Sequence, residues 1–437
     1  WFRPTFLGFP KTDAFRARFL LEAVQDLRES LRALDTDLII RIGYPEKIIP
    51  ELAHYLEISE VYCSKEVTFE ELKVEERLEL LLWKDKIPLK TYWTSSLYHP
   101  EDLPFPISNL PDVFTQFRKG VEKGTKVRAS LPPPQSFAPL SGIPVGELPT
   151  LEDFDLQNPV PDSRSVLHFR GGEQAAKARM HHYFWEKNLL KEYKETRNGL
   201  LGADYSSKFS AWLALGCISP RTIFEEVKKY EQEVTKNQST YWLIFELIWR
   251  DYFRMVAHRY GNRIFKKGGI QQKTDLPLKD NLKIFQKWAD GQTGIPFIDA
   301  NMRELNQTGF MSNRGRQNVA SFLVKDLRIN WVWGAMYFES KLIDYDVCSN
   351  WGNWNYVAGI GNDPRENRYF NILTQAKRYD AQAEYVKHWL PELASIPKSL
   401  AHHPSDLKLA EQKKYGLIIG VDYPNPLVNP DKWRKRN

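Results

Sequence analysis

Apolar positions in the first hundred residues recur at two alternating periods. Asp37-Leu38-Ile39-Ile40-Arg41-Ile42-Gly43 is a short apolar run closed by a turn residue, which predicts a buried strand. Residues 45–56 carry apolar side chains at helical spacing, 60–64 predict a second strand, 70–85 a second helix and 90–93 a third strand. That order predicts an α/β domain on a parallel sheet with helical crossovers. From about Pro104 the pattern fails. Prolines at 132–134, 139, 144, 149, 159 and 161 break up a polar stretch and predict a long, extended linker. From Gly171 helical spacing returns over 172–188, 219–230, 240–260, 279–290, 296–308 and 313–325. Ser219-Pro220 is a helix start, a cap residue followed by proline at the first helical position. The expected architecture is an α/β N-terminal domain (1–106), a linker (107–165) and an all-α domain (166–437).

Composition narrows the class. A chain of 437 residues with 42% apolar residues exceeds one compact core, and its 27% charged residues are well mixed, so two folded domains are expected. No apolar run approaches the roughly 18 residues that cross a bilayer. Trp1-Phe2-Arg3-Pro4 leads into a polar stretch and gives no secretory signal. Three widely spaced cysteines, Cys63, Cys217 and Cys348, argue against a disulfide framework and for a reducing compartment such as the cytoplasm. Neither His181-His182 nor His402-His403 has a Cys or acidic partner at ligand spacing, so no metal is expected. The net charge of +6 permits a polyanionic partner without demanding one. The 14 tryptophans crowd the C-terminal half, where they serve either as bulky core or as platforms for flat ligands and bases.

Four segments carry candidate chemistry. Asp204-Tyr205-Ser206-Ser207-Lys208-Phe209-Ser210 offers hydroxyls and backbone N–H groups ahead of an apolar helix, suited to a phosphate or simply to capping. In residues 246–253, Glu246, Trp249, Arg250 and Phe253 share one helical face. Such a face walls a pocket that is both apolar and hydrogen-bonding, or else holds an i, i+4 surface pair of Glu246 with Arg250. In Met311-Ser312-Asn313-Arg314-Gly315-Arg316-Gln317-Asn318 the two arginines point to different sides of a helix. Residues 344–356 interleave Asp344, Asp346 and several Asn with aromatics, and buried acids there need a partner such as Arg316. Gly359-x-Gly361 has no preceding strand and is not a dinucleotide fingerprint.

Together, in this order and spacing, these segments resemble the flavin and substrate site of photolyases and cryptochromes. The resemblance runs from Gly8 to the C-terminus. Trp351-Gly352-Asn353-Trp354-Asn355-Tyr356 and Ala358-Gly359-Ile360-Gly361-Asn362-Asp363 are similar to the DASH branch in particular. It implies a U-shaped FAD with Tyr193, Ser206, Ser207, Lys208, Phe209 and Ser210 near its phosphates. Asn313, Arg316, Asp344 and Asp346 would surround the isoalloxazine and ribityl parts, Arg250 would join the cofactor wall, and Asn350 would face flavin N5. Arg316 and Asp344 would form an ion pair against the ring. Glu246 would hydrogen-bond a flipped thymine dimer and Trp249 would stack on it. Arg197, Arg314 and Gln375 would grip the nucleic-acid backbone. Tyr356 stands where double-strand-repairing relatives tend to have Trp, which fits a single-stranded DNA partner, with RNA or duplex DNA bound more weakly.

The implied activity is blue-light-driven repair of cyclobutane pyrimidine dimers by a monomer. A DNA-binding photoreceptor or transcription regulator without repair is the alternative, and a dark redox flavoprotein a third. Two departures matter. Trp1-Phe2-Arg3 is followed by Pro4-Thr5-Phe6-Leu7-Gly8, which resembles a much later point of the family pattern, as though several dozen residues were absent at the Arg3–Pro4 junction. That loss would remove a sheet strand and one wall of the methenyltetrahydrofolate antenna site, of which Glu70 would be a contact. In the family's electron chain of three tryptophans, Trp354 and Trp331 match the inner two, but the outer position falls at Leu278. Slower photoreduction, or a route through Trp288 or Trp333, is expected.

Overall fold

Two of the three predicted strands pair. β1 (Val61–Ser64) and β2 (Leu89–Tyr92) run parallel with Val61 opposite Leu89. The computed structural model describes residues 4–138, 140, 142–363 and 369–434; Trp1, Phe2, Arg3 and Pro139, cited above, lie outside them. The predicted strand at 37–43 is a correction. The segment is extended, with the Ile40 N–H donated to the Val145 carbonyl, but it joins no ladder among the described residues. Leu38, Ile39 and Ile40 are half-buried and Ile42 is 60% exposed. A central strand needs a hydrogen-bonding neighbour on each side, and this one has a single backbone contact with a loop.

Three helices belong to this region: α1 (Ala14–Arg32), and α2 (Pro45–Tyr55) and α3 (Phe69–Lys84), which pack together beside the sheet. A small core of Ala53, Leu78, Leu82 and Ile87, backed by Val61 and Leu89, binds α2 and α3 to the sheet. The opposite sheet face is open. Tyr62 and Tyr92 stack there at 5.9 Å, each more than half exposed. α1, which its spacing did not disclose, packs on the helical domain, where Phe19 meets Trp212. The segment read as linker also contains a helix, α4 (Phe114–Gly124). Phe114, Phe117 and Val121 at i, i+3 and i+7 form its buried face. The prolines on both sides hid that stripe.

The helical domain follows as α5 (Glu173–His181), α6 (Tyr193–Thr196), α7 (Ser210–Ala214), α8 (Pro220–Glu233), α9 (Gln238–Tyr260), α10 (Leu282–Ala289), α11 (Pro296–Thr308), α12 (Asn313–Ser321), α13 (Trp331–Lys341), α14 (Val347–Ala358), α15 (Ile372–Tyr379) and α16 (Glu384–Trp389). α11 starts on Pro296 and stops at Gly309, whose φ of 70° is the left-handed stop that glycine adopts without strain. α9, of 23 residues, opens on a reciprocal cap between Asn237 and Thr240.

α9 also ties the two regions together. Arg250 donates to the Ser95 carbonyl, and Asp251 accepts the Leu97 and Tyr98 N–H groups at 3.0 and 2.8 Å. One turn on, Arg254 donates to the Lys65 carbonyl at 2.8 Å and pairs with Glu66 at 3.0 Å. The chain leaving each strand is thus fixed to the helix that carries the candidate site.

Candidate functional site

The predicted phosphate segment is a loop shaped from behind. Arg179 of α5, 6% exposed, donates to the carbonyls of Ala203, Ser206 and Ser207 and pairs with Asp204 at 2.8 Å. Those bonds turn the loop so that Ser206, Ser207 and Lys208 face a cavity. Lys208 takes a positive φ of 59°, a conformation a lysine adopts only where its surroundings impose it. Its Nζ lies 3.2 Å from the Tyr205 ring centroid and 3.5 Å from Ser206 Oγ, and burial pulls its pKa well below the usual lysine range. The helix beginning at Ser210 is five residues long, so anion affinity rests on the loop's hydroxyls, N–H groups and Lys208 rather than on a long helix dipole.

The cavity measures about 400 Å³ and opens between that loop, α6, α9, α12 and the start of α14. Tyr193, Arg197, Ser206, Ser207, Lys208, Phe209, Ser210, Glu246, Trp249, Arg250, Asn313, Arg316, Asp344, Asp346 and Tyr356 all line it. Residues far apart in sequence therefore converge on one space, as the resemblance requires. The surface-pair alternative for Glu246 and Arg250 fails. Glu246 pairs with Arg197 at 2.7 Å, and Arg250 with Asp346 at 3.3 Å.

Arg316 Nη2 meets Asp344 Oδ2 at 2.8 Å, and the Asp344 side chain is 1% exposed. The other Asp344 oxygen is buried with no hydrogen-bond partner. Burial would raise the Asp346 carboxyl, but Arg250, the Ser349 N–H and Arg254 outweigh it and hold it below the usual range. Burial raises the Glu246 carboxyl, with Arg197 opposing. Trp249 stacks at 3.5 Å on Phe114 of α4, with Tyr356 edge-on at 5.9 Å. Phe253 stacks on the same indole at 5.5 Å, so two rings fix its orientation.

Five predicted residues do not line this cavity. Asn350 donates its side-chain amide to the Ala335 carbonyl at 3.0 Å. Arg314, on the far side of α12 as its spacing implied, bonds Asn198 and Gln317 and lies over Tyr379. Gln375 is on α15. Trp354 and Trp331 are buried behind the wall. The sequence reading missed Arg179, and it missed Glu304, which is fully buried and accepts the Tyr385 hydroxyl at 2.6 Å. Single charges within helical runs carry no sequence signal that separates them from a solvated face. His182, read as lacking acidic partners, is hydrogen-bonded to Glu186 and Asp204.

Residues 242–437 match the family described as the FAD binding domain of DNA photolyase, and residues 2–136 match DNA photolyase. A cryptochrome DASH of Gloeobacter violaceus is 57% identical over 97% of this chain and 84% of its own length. That of Xenopus laevis is 53% identical over 98% and 83%. The chain belongs to the photolyase and cryptochrome family, in its DASH branch. The solved structure of a Synechocystis sp. PCC6803 cryptochrome superposes with a TM-score of 0.95 at 53% identity, covering 100% of this chain and 91% of that one. A class III photolyase from Agrobacterium tumefaciens gives 0.84 at 26%, covering 99% and 89%.

FAD is the cofactor of this domain. The cavity fits it, because a diphosphate supplies the counter-ion that buried Lys208 lacks in its immediate contacts, and a polyol or ring N–H satisfies Asp344. A second cavity of about 330 Å³ opens where the photolyase N-terminal region meets α13 and α14, lined by Lys11, Arg16, Glu70, Glu339, Tyr345 and Trp351 among others. Glu70 is ion-paired there with Lys11. Among the described residues, no helix is long and apolar enough to cross a membrane.

Proposed function

We propose that the protein is a blue-light-driven lyase that splits cyclobutane pyrimidine dimers in single-stranded DNA. The observation that carries this reading is the convergence of Glu246 and Trp249 with Arg316, Asp344 and Lys208 on one cavity. FAD, bound and reduced, supplies the electron that light releases to the dimer.

This chain's residues do the rest. Ser206, Ser207, Lys208 and Ser210 hold the diphosphate, with Tyr193 and Phe209 beside them. Arg316, Asp344, Asn313, Asp346 and Arg250 fix the ring and ribityl parts. Asn350, locked to Ala335, keeps α13 and α14 in register beside the flavin. Trp249, pinned by Phe114 and Phe253, lines the cavity where an extruded base pair would stack. Glu246 is poised between two states. Burial raises its carboxyl and Arg197 opposes that; once Arg197 turns to a backbone phosphate, burial favours the acid further, which can donate to a pyrimidine carbonyl. Arg314 and Gln375 lie on the flank where the strand would run.

Extruding two bases costs a few kcal/mol, least in single strands, and Tyr356 offers less stacking surface than an indole to offset it. Glu70 and its neighbours in the second cavity are the candidate contacts of a methenyltetrahydrofolate antenna. Three free cysteines are in keeping with a reducing compartment.

Illuminating the reduced protein with dimer-containing oligonucleotides tests the proposal. Thymine absorbance should recover in single strands and far less in duplex. No recovery in single strands would overturn it and favour a DNA-binding photoreceptor without repair.

A further inference from the structure

The histidine pair at the end of α5 stands behind the phosphate loop, outside the cavity itself. We propose that His182 is a positioning residue for the cofactor: as an imidazolium it clamps the loop of Ser206, Ser207 and Lys208 from behind, so that the grip on the FAD diphosphate tightens as pH falls. This rests on the flavin reading of the site given above.

α5 ends at His181, and the chain continues in one π turn, His182–Glu186. Such turns are frequent at functional sites. This one sets His182 between two carboxylates. Its Nδ1 lies 2.9 Å from Glu186 Oε2, and its Nε2 lies 3.4 Å from Asp204 Oδ2. Asp204 opens the phosphate loop, and its other oxygen accepts Arg179 Nη1 at 2.8 Å. Arg179 in turn holds the carbonyls of Ala203, Ser206 and Ser207. The Asp204 carboxylate is thus gripped from two sides, by the arginine that shapes the loop and by the histidine.

The chemistry of the ring makes this arrangement depend on charge. Both partners are carboxylates. His182 and His181 hold Glu186 below the usual carboxylate range. Burial would raise Asp204, but Arg179 and His182 outweigh it and hold that carboxyl low as well. Ionised carboxylates only accept. A neutral imidazole has one N–H and one lone pair, so it satisfies one of them and turns its lone pair on the other, whereas an imidazolium donates to both. Imidazole is the side chain that changes charge between about pH 5 and pH 8. When the ring loses a proton, the shorter contact to Glu186 keeps the remaining N–H, and the Nε2 lone pair faces Asp204. The loop is then held from behind by Arg179 alone.

The other charged groups around this contact are His181, 3.2 Å from Glu186 Oε1, Arg179 on α5, and Lys208, which faces Asp204 from further along the loop. His181 bonds Glu186 of its own turn, so it is the control for His182. Burial pulls Lys208 below the usual lysine range, and Lys208 therefore also loses charge as pH rises. That loss is common to chains with and without His182.

Release of FAD from the loaded protein, followed by the rise in free-flavin fluorescence after dilution at about pH 5.5 and about pH 8, tests the inference. The natural chain should release FAD faster at the higher pH. In His182→Gln the ratio of the two rates should shrink by about two- to fivefold, through faster release at the lower pH, as suits an ion pair whose side chains are 32% and 35% exposed. His182→Arg, cationic at both pH values, should shrink the ratio too, by slowing release at the higher pH. His181→Gln should keep the natural ratio. An unchanged ratio in His182→Gln, or a ratio lost in His181→Gln and kept in His182→Gln, would overturn the inference. If circular dichroism shows His182→Gln to be unfolded, an unchanged ratio in His182→Arg would overturn it equally. A natural chain that holds no flavin at either pH would instead defeat the flavin reading on which it rests.

Discussion

The α/β region and the helical domain solve the same burial problem to different extents. In the helical domain, Trp288, Trp331, Trp354 and Trp389 are all fully buried and belong to one continuous core. In the α/β region Phe19, Val67, Leu97 and Tyr98 join that same core, and the separate cluster between the sheet and its helices has four buried side chains, while Trp83 is 71% and Leu80 64% exposed and the Tyr62–Tyr92 pair stands open on the sheet. The difference shows where precision is needed. Every residue lining the candidate flavin cavity lies C-terminal to residue 190, and the α/β region acts on it through a few backbone groups held by Arg250, Asp251 and Arg254. A rigid helical scaffold places the chemistry, and a loosely packed partner is fastened to it at defined points.

Substitutions can break or sharpen that contrast. The largest loss is expected for Arg316→Met, which leaves the buried Asp344 carboxylate uncompensated at a cost of about 3–5 kcal/mol. Denaturant unfolding and the FAD retained after desalting should both fall. Trp288→Ala empties a fully buried site and should cost about 3–5 kcal/mol in the same unfolding assay.

A pH series sharpens the picture inside the helical core. Burial pushes the Glu304 carboxyl up to about 8, whereas in the unfolded chain it titrates near about 4.3. Below the unfolded value the group has no effect on stability. Between the two values the folded state binds the extra proton, so stability falls as pH rises, by a few kcal/mol in total. Glu304→Gln, which mimics the protonated acid and can still accept the Tyr385 hydroxyl, should therefore stabilise the protein at about pH 9 and change little at about pH 5. Thermal melts at the two pH values read this directly. The smallest effect is expected for Trp83→Ala in the α/β region, within about 0.5 kcal/mol. A cost comparable to that of Trp288→Ala would show that the α/β face is covered in solution.

The sequence disclosed those parts of the fold whose signals are local. Residues 296–308 were read with the observed bounds, because proline opens the helix and glycine closes it. The run at 37–43 has the composition of a buried strand, but composition cannot say whether a neighbouring strand is there to pair with it. α4 was lost among prolines although its stripe of Phe114, Phe117 and Val121 is regular. In the site, the serine loop, Arg316 and the two aspartates were legible because polar residues at the head of apolar helices need an explanation. Arg179 and Glu304 were not, since a lone charge within a helix looks the same whether it faces water or a buried partner. Likewise, the partner of Glu246 is Arg197, 49 positions away in the chain, and no spacing rule reaches that far.

The central claim is that the helical domain lodges FAD between the serine loop and the Arg316–Asp344 pair. Visible absorbance of the purified, desalted protein tests it most directly, in the natural chain beside Asp344→Asn and Lys208→Ala, with helicity checked by circular dichroism. Flavin bands in the natural chain, lost or strongly reduced in both folded variants, are the expected result. A colourless natural protein, or equal flavin in all three, would contradict the account.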